Sequence, residues 1–241
     1  MIRRIGSIVR KELRSYFNSP IAYIVVVFFL AFTAIWFFYI GDFAGRDIAT
    51  LRAYFGIMPV VLVLLVPALT MRSWAEERKL GTDELLVTLP FREWELVVGK
   101  FVATYGLLLL TLILTIFVPI TVNSLGDFER GETIGQYLGM ALLGSASVAI
   151  GLFVSSVSKN QISSFIIAAV ILLAVTLLNQ INTLLTLPAS IASVVNYVSL
   201  EFHFQSFNQG VLDTRDLLYF LVVTALFLVL NRYVLVARKW R

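Results

Sequence analysis

The residue types that carry most enzymatic and metal chemistry are scarce in this chain. The sequence contains no cysteine and a single histidine, His203. The missing cysteines exclude disulfides, thiolate metal sites, iron–sulfur clusters and cysteine nucleophiles. One histidine cannot form a histidine cluster with metal-ligand spacing, so we assign His203 a packing or interfacial role. The sequence therefore predicts no catalytic residue, no metal site and no bound cofactor.

Composition places the chain in a membrane. Its 241 residues are 59% hydrophobic and 14% charged, with a mean hydropathy of +0.89, whereas a soluble domain is about 45–50% apolar and about 25% charged. The net charge of +4 comes from basic residues at the ends of apolar segments and not from one soluble face, so nucleic acid is not a predicted partner. We predict an all-α integral membrane protein with a single transmembrane domain over 1–241.

Six segments are long and apolar enough to cross a bilayer, which requires about 20 residues. They are 20–40, 53–71, 95–123, 134–157, 161–178 and 216–237. Pro59 and Pro67 predict kinks or a broken turn in the second segment. The third is longer than the hydrocarbon core requires and should tilt or protrude.

An uncharged stretch begins after Asn160, includes the fifth segment and reaches Leu200, roughly twice the length of one span. The polar residues Asn179, Gln180 and Asn182 interrupt it, as does Pro188, so a second full crossing is not expected. We predict short helical pieces over 184–208 that dip into the outer leaflet or pack on the bundle.

The six crossings place 15 of the 19 Lys and Arg residues on one side of the membrane. Lys and Arg are enriched on the cytoplasmic side of membrane proteins. We therefore expect both termini in the cytoplasm.

Residues 1–18 have the pattern of an amphipathic helix in the headgroup plane. Apolar residues recur there at spacings of three and four, and basic residues fill another face. The apolar positions are Ile2, Ile5, Val9, Leu13 and Phe17, and the basic ones are Arg3, Arg4, Arg10, Lys11 and Arg14. The alternative is an ordinary positively charged flank of the first span.

No predicted span carries an ionisable residue near its midpoint, which argues against a proton-coupled pump and an intramembrane hydrolase. The fourth span is instead rich in glycine, at Gly135, Gly139, Gly144 and Gly151. Small residues allow close approach of helix backbones, so we predict a packing role for these positions.

The loop after the second span is too charged to cross the membrane. Residues 76–79 form a charged turn, Gly81 permits a sharp change of direction, and Thr82 can cap a new helix that ends at Pro90. We predict a short cytoplasmic helix within 75–90, either a docking site or a solvated surface helix.

A resemblance to a known family favours the docking site. The stretch EERKLGTDELLVTLPFREWELVVGK, residues 76–100, resembles the cytoplasmic loop of six-span ABC transporter permeases of the exporter class. The resemblance extends to the N-terminal helix, the six spans and the stretch FHFQSFNQGVLDTRDLLYFL at 202–221. Among these permeases the chain looks most similar to the gliding-motility-type subunits.

This resemblance implies a non-catalytic transport subunit in a bacterial cytoplasmic (inner) membrane, serving export or force transmission. A separate ATPase subunit would bind ATP and Mg, and a second permease half would complete a dimer, with an auxiliary envelope subunit as a further partner beside membrane lipid. Residues 75–90 would be a coupling helix that contacts the ATPase. The contact set implied by position is Glu77, Arg78, Gly81, Thr82, Glu84 and Leu85.

The chain itself has no phosphate-binding loop. Gly99 and Lys100 look like the end of one, but Phe101 stands where Ser or Thr is required. The alternative to the permease is an ATP-independent carrier or a structural scaffold of an envelope complex.

Overall fold

The computed structural model describes residues 2–41, 50–81, 92–125, 129–185 and 188–239. Within these ranges the chain is helical, and no strand is present in them. The helices are α1 (Ile2–Phe17), α2 (Pro20–Ile35, continued by a π-helical turn Trp36–Ile40), α3 (Arg52–Thr70), α4 (Ala75–Lys79), α5 (Glu93–Leu114), α6 (Phe117–Leu125), α7 (Arg130–Val157), α8 (Gln161–Leu185), α9 (Ala189–Val198), α10 (Leu200–Asn208) and α11 (Thr214–Lys239).

Six helical stretches in the described ranges are long and apolar enough to cross a membrane. They are Pro20–Ile40, Arg52–Lys79, Glu93–Ser124, Arg130–Val157, Gln161–Gln180 and Thr214–Arg238. The prediction of an all-α chain with six such helices is confirmed, and the chain is a multi-pass membrane protein. The order of the helices places α1 and α4 at one end of the bundle, the α1 end, and α9 and α10 at the other, the α9 end.

Helix α7 lies at the centre of the bundle and packs against α3, α5, α8, α10 and α11. Its glycines are the points of closest approach. A Cβ atom on Gly139 would lie 2.4 Å from the Phe207 Cβ of α10, and one on Gly151 would lie 2.5 Å from the Thr70 Oγ1 of α3. These distances are far below van der Waals contact, so the positions admit no side chain without a shift of the neighbouring helix.

The other glycines of α7 differ in their surroundings. A Cβ on Gly144 would lie 2.7 Å from Leu108 Cδ2 of α5, and one on Gly135 would lie 3.5 Å from the Cα of Gly210. Gly131, near the start of the helix, has open space around it. The close packing therefore runs along α7 from Gly139 to Gly151.

Helix α3 continues through both of its prolines, so the broken turn that Pro59 and Pro67 allow does not occur. Proline removes one backbone hydrogen bond and crowds the preceding turn. The helix is largely buried among its neighbours, and such packing holds proline-containing helices in membranes.

The predicted third span is divided. Helix α5 ends at Leu114 and α6 begins at Phe117 after a turn at Thr115 and Ile116. The cause is Pro119, which has no N–H to donate to the carbonyl four residues earlier. The Thr115 hydroxyl bonds within this turn to the Leu112 carbonyl at 2.6 Å and to the Tyr137 hydroxyl of α7 at 3.0 Å.

Most of the described residues between the fifth and sixth spans are helical. Helix α8 continues past residue 178, the predicted end of its span, to Leu185, and α9 and α10 follow. Ser199 joins these elements, because its hydroxyl donates to the Thr176 carbonyl of α8 at 3.0 Å and accepts from the Phe202 N–H of α10.

Gly139→Ala tests the packing of α7. Overpacking of a well-filled core costs about 1–3 kcal/mol, so we expect Gly139→Ala to lower the free energy of unfolding by that amount. The matched control is Gly131→Ala, which meets open space and gains helix propensity. Unfolding in detergent micelles measures both variants, and equal effects would contradict the account.

Candidate functional site

Lys100 is a buried cation at the α1 end of the bundle. It lies in the first turns of α5 with Val97, Val98 and Phe101 around it in sequence, and it is 1% exposed. Removing an ammonium group from water costs several kcal/mol unless ionic and hydrogen-bonding partners replace the lost hydration. The structure supplies those partners from outside α5.

Two carboxylates and a carbonyl surround the Lys100 ammonium. Its Nζ lies 2.9 Å from Glu12 Oε1 of α1, 3.0 Å from Glu77 Oε2 of α4 and 2.6 Å from the Ser73 carbonyl oxygen. The same Nζ lies 4.7 Å from the centre of the Trp74 ring, within the range of a cation–π contact. We call Lys100, Glu12, Glu77 and the Ser73 carbonyl the Lys100 cluster.

Helix α1 reaches the cluster by packing closely on α5. A Cβ on Gly99 would lie 2.6 Å from Ile8 Cγ2, so the glycine beside Lys100 makes room for α1. One turn beyond Glu12, the Tyr16 hydroxyl donates to the Leu69 carbonyl of α3 at 3.0 Å and pairs with the Thr104 hydroxyl of α5 at 2.9 Å. Burial raises the pKa of Tyr16 above its ordinary value.

Helix α4 is held on the end of α7. The Arg78 guanidinium donates to the carbonyls of Ser156 and Ser158. These carbonyls lie at the C-terminus of α7, where backbone acceptors have no partner within the helix and carry partial negative charge. The Ser155 hydroxyl also accepts from the N–H groups of Trp74 and Ala75. Glu77 is thereby fixed between α7 and α5.

A second cation, Lys11, closes the cluster from the solvent side. Its Nζ lies 2.8 Å from Glu77 Oε1 and 3.7 Å from Glu12 Oε1. Partial burial lowers the pKa of Lys11, but hydrogen bonding and attraction to Glu77 and Glu12 outweigh burial and raise it above its ordinary value. Each carboxylate therefore faces both a buried and an exposed ammonium.

A cavity of about 320 Å³ lies beside the cluster, between α1 and α4. Arg72 borders it and bonds to Glu76 at 3.3 Å and to the Ser19 hydroxyl. The lining residues are Lys11, Glu12, Ser15, Tyr16, Ser19, Arg72, Ser73, Glu76, Glu77 and Leu80.

The structure describes half of the contact set that the resemblance implied. Glu77 and Arg78 are turned into the protein and bond to α5 and to the end of α7. Gly81 follows α4 with φ +68°, the left-handed conformation that favours glycine. Thr82, Glu84 and Leu85 lie outside the described residues, as does the rest of the predicted helix up to Pro90.

Helix α1 has three faces where the sequence indicated two. Its five predicted basic residues, Arg3, Arg4, Arg10, Lys11 and Arg14, are exposed on one face, and Ile5, Val9 and Leu13 are half-buried on another. The third face carries Ile8, Glu12 and Tyr16 and is buried in the bundle. Because this face contains Glu12, the sequence did not indicate that it is buried.

The sequence analysis missed Lys100 and Glu12. It treated Gly99 and Lys100 as an incomplete phosphate-binding loop, whereas the structure places both within α5. A detectable signal was present, because a lysine flanked by Val97, Val98 and Phe101 on a helix requires a buried partner. The partner itself lies 88 residues away in the chain.

The cluster has the chemistry of a structural ion network. Together with Lys11 it contains two ammonium groups and two carboxylates, whose charges balance. In the part of the chain that the structure describes, no group of three His, Cys, Asp or Glu side chains is arranged to hold a metal ion. What the arrangement does is join α1, α4, α5 and the end of α7 through charged contacts.

Fold and site together define a multi-pass, all-helical membrane protein with a buried ion network at one end of its bundle. No protein-family model matches the chain, and no curated protein is significantly similar to it.

Lys100→Met tests the energetics of the cluster. The substitution leaves two carboxylates without their buried cation, and breaking a buried ion pair costs about 3–5 kcal/mol. We expect a loss of unfolding free energy of that size, partly recovered in Lys100→Met/Glu12→Leu because the coupling within the pair is removed.

The matched control is Lys11→Met, whose ammonium is mostly exposed and should contribute about 0–1 kcal/mol. Unfolding in mixed micelles measures wild type, the single variants Lys100→Met, Glu12→Leu and Lys11→Met, and the double variant. Equal effects of Lys100→Met and Lys11→Met, or strict additivity in the double variant, would show that the cluster is not a coupled buried network.

The raised pKa of Tyr16 makes its contribution depend on pH. In the unfolded chain a tyrosine ionises near pH 10, while the buried Tyr16 stays protonated to higher pH. Its stabilisation is therefore complete below about pH 10 and declines above it, by up to about 1.4 kcal/mol per pH unit. The difference in unfolding free energy between wild type and Tyr16→Phe, measured from pH 8 to 12, should shrink above pH 10. A constant difference would contradict the burial of this hydroxyl.

Proposed function

We propose that the chain is the membrane-spanning permease half of an ATP-driven transporter of the exporter-class ABC type. It would couple ATP hydrolysis in a separate ATPase subunit to export of a substrate or to transmission of force across the membrane. The observation that carries this proposal is that a short charged helix, α4, is tied to α5 through the Lys100 cluster and to the end of α7 through Arg78.

The contacts of α4 are suited to transmitting a displacement. A push on α4 reaches α5 through the pair between Glu77 and Lys100, and it reaches α7 through the bonds of Arg78 to the Ser156 carbonyl. Buried ion pairs resist separation because each partner would be left uncompensated. A rigid-body movement of the loop therefore moves the spans with it.

The proposed coupling helix lies within residues 75–90, with contacts to the ATPase from Glu77, Arg78, Gly81, Thr82, Glu84 and Leu85. Glu77 and Arg78 would act as the inner attachment, since their side chains bond to α5 and α7. The outward contact would begin at Leu80, which is mostly exposed. Coupling further requires that the ATPase contact the loop differently in its two states.

Helix α1 would lie in the headgroup plane of the cytoplasmic leaflet. Its half-buried apolar face adjoins its exposed basic face, an arrangement that fits an interfacial helix beside anionic lipid. This orientation puts the α1 end and both termini on the cytoplasmic side of a bacterial inner membrane, in agreement with the distribution of Lys and Arg.

The partners follow from the same proposal. The ATPase subunit would bind ATP and Mg, and the chain would perform no catalysis. A second permease half, identical or related, would complete the transporter. The spans of α2, α8 and α11 expose most of their apolar surface in the single chain, which leaves faces for lipid and for this second half. An auxiliary envelope subunit is the remaining proposed partner.

Purification of the tagged chain from native membranes tests the proposal, with mass spectrometry of the bound proteins. We expect a subunit with a Walker-type phosphate-binding loop and ATPase activity to co-purify with wild type. Gly81→Trp should lose this ATPase subunit. Tryptophan is strained at positive φ, and its bulky side chain would obstruct the contact between the loop and the subunit.

Gly131→Trp is the control, since this glycine has open space around it and lies at the opposite end of the bundle. Both variants must elute without aggregation and retain the wild-type helix content. An intact wild-type complex without any ATPase would refute the permease function and favour an ATP-independent carrier or scaffold.

A further inference from the structure

The only histidine of the sequence is buried at the α9 end. His203 lies on α10 and is 3% exposed. It belongs to the stretch 202–221, which carried part of the family resemblance and which the proposed coupling at the α1 end does not use. Its ring contacts connect three helices.

Both ring nitrogens of His203 face hydrogen-bond acceptors. Nδ1 lies 2.6 Å from Asp216 Oδ1 of α11, and Nε2 lies 2.9 Å from the Tyr197 carbonyl oxygen of α9. A backbone carbonyl accepts and never donates, so Nε2 must carry a hydrogen. The short contact with Asp216 needs another hydrogen, on Nδ1 or on the carboxyl group.

The two contacts together therefore require two protons on the histidine–aspartate pair. A neutral imidazole beside an ionised carboxylate has one. When the second proton is absent, one ring nitrogen is bare. If Nδ1 is bare, its lone pair faces a lone pair of the Asp216 carboxylate; if Nε2 is bare, its lone pair faces a lone pair of the Tyr197 carbonyl oxygen. One of the two links is then lost.

We propose that His203 and Asp216 form a proton-dependent brace, which holds α9 against α11 while the pair carries two protons and loosens α9 when it carries one. The inference is independent of the proposed function, because it rests on contacts at the opposite end of the bundle from α4.

The surroundings of the ring make the lost link costly. Asp216 is buried, and a buried carboxylate without a donor destabilises the folded structure in an apolar setting. The Tyr219 ring stacks on the imidazole at 3.8 Å between centroids, and its hydroxyl donates to the Val198 carbonyl of α9 at 2.6 Å. Tyr219 thus reinforces the same connection between α11 and α9.

The charged groups on the neighbouring elements have other partners. On α10, the Glu201 carboxylate accepts a hydrogen bond from Gln180 of α8. Burial raises the pKa of Glu201 above its ordinary value, although this hydrogen bond opposes the shift. Glu132 of α7 pairs with Arg52 of α3 at 2.8 Å. Before α11, Asp213 accepts from the backbone N–H of Arg215. Asp216 is the carboxylate that bonds to the ring, and Tyr197 and Tyr219 are the ionisable groups that contact its faces.

Nitrogen NMR of the full chain in lipid nanodiscs tests the protonation directly. With one histidine in the sequence, ¹⁵N-histidine labelling yields a single ring and needs no assignment. At low pH we expect hydrogen on Nε2 of wild type, with Nδ1 either carrying the second hydrogen or accepting it from the Asp216 carboxyl group, and we expect a rise in pH to remove the second proton. A bare Nε2 at low pH would overturn the proposal, because Nε2 carries a hydrogen in both two-proton forms.

A distance measurement tests the brace. The cysteine-free chain accepts spin labels at Val194→Cys on α9 and Leu218→Cys on α11, which are both exposed. The distance distribution should be narrow at low pH, where the pair carries two protons, and should broaden as the pH is raised. Asp216→Asn should be narrow at every pH, because its amide N–H donates to the bare Nδ1 of a neutral ring while Nε2–H donates to the Tyr197 carbonyl.

The control pair is Leu138→Cys on α7 with Leu218→Cys, both exposed, whose distance should not depend on pH. If wild type loses its second proton without any change between α9 and α11, the brace is refuted. Because the pH series uses wild-type contacts, this conclusion stands even where Asp216→Asn fails to fold.

Discussion

A lysine ammonium buried in a helical membrane protein requires anionic or carbonyl partners, and the α1 end of this bundle is arranged to supply them. Lys100 on α5 receives Glu12 from α1, Glu77 from α4 and the carbonyl of Ser73. Each partner belongs to a segment outside the helix that carries the lysine. The charge therefore determines where α1 lies and how α4 is oriented, since displacement of either leaves a charge uncompensated.

The middle of the bundle is joined by a different kind of contact. Along α7, Gly139 and Gly151 bring α10 and α3 within distances that leave no room for a side chain without a shift of the neighbour. Close contact replaces hydrophobic burial as the source of helix association in lipid. Polar connections lie at the two ends, with the Lys100 cluster at one and His203 with Asp216 at the other.

Most of the fold follows from hydropathy, because an apolar run of about 20 residues has few alternatives to a membrane helix. The division of α5 from α6 was readable at Pro119, but length alone suggested one long span. The Lys100 cluster was harder to predict from the sequence. Glu77 and Arg78 stood out in a charged loop, whereas Glu12 and Lys100 are 88 residues apart, and helical periodicity relates a residue only to its own helix. His203 looked isolated because Asp216 lies across a turn on another helix.

Cysteine cross-linking of α1 to α5 tests the central claim most directly. A Cβ on Gly99 would lie 2.9 Å from Ile8 Cβ, and disulfides need about 3.5–4.5 Å between Cβ atoms, so a small shift permits the bond. In native membranes, mild oxidation should link Ile8→Cys to Gly99→Cys, as linked peptides in mass spectrometry, and adding Lys100→Met should reduce the yield. Gly6→Cys, which has open space around it, should not link to Gly99→Cys. Equal yields from the two pairs, or none from Ile8→Cys, would contradict the docking of α1 around Lys100.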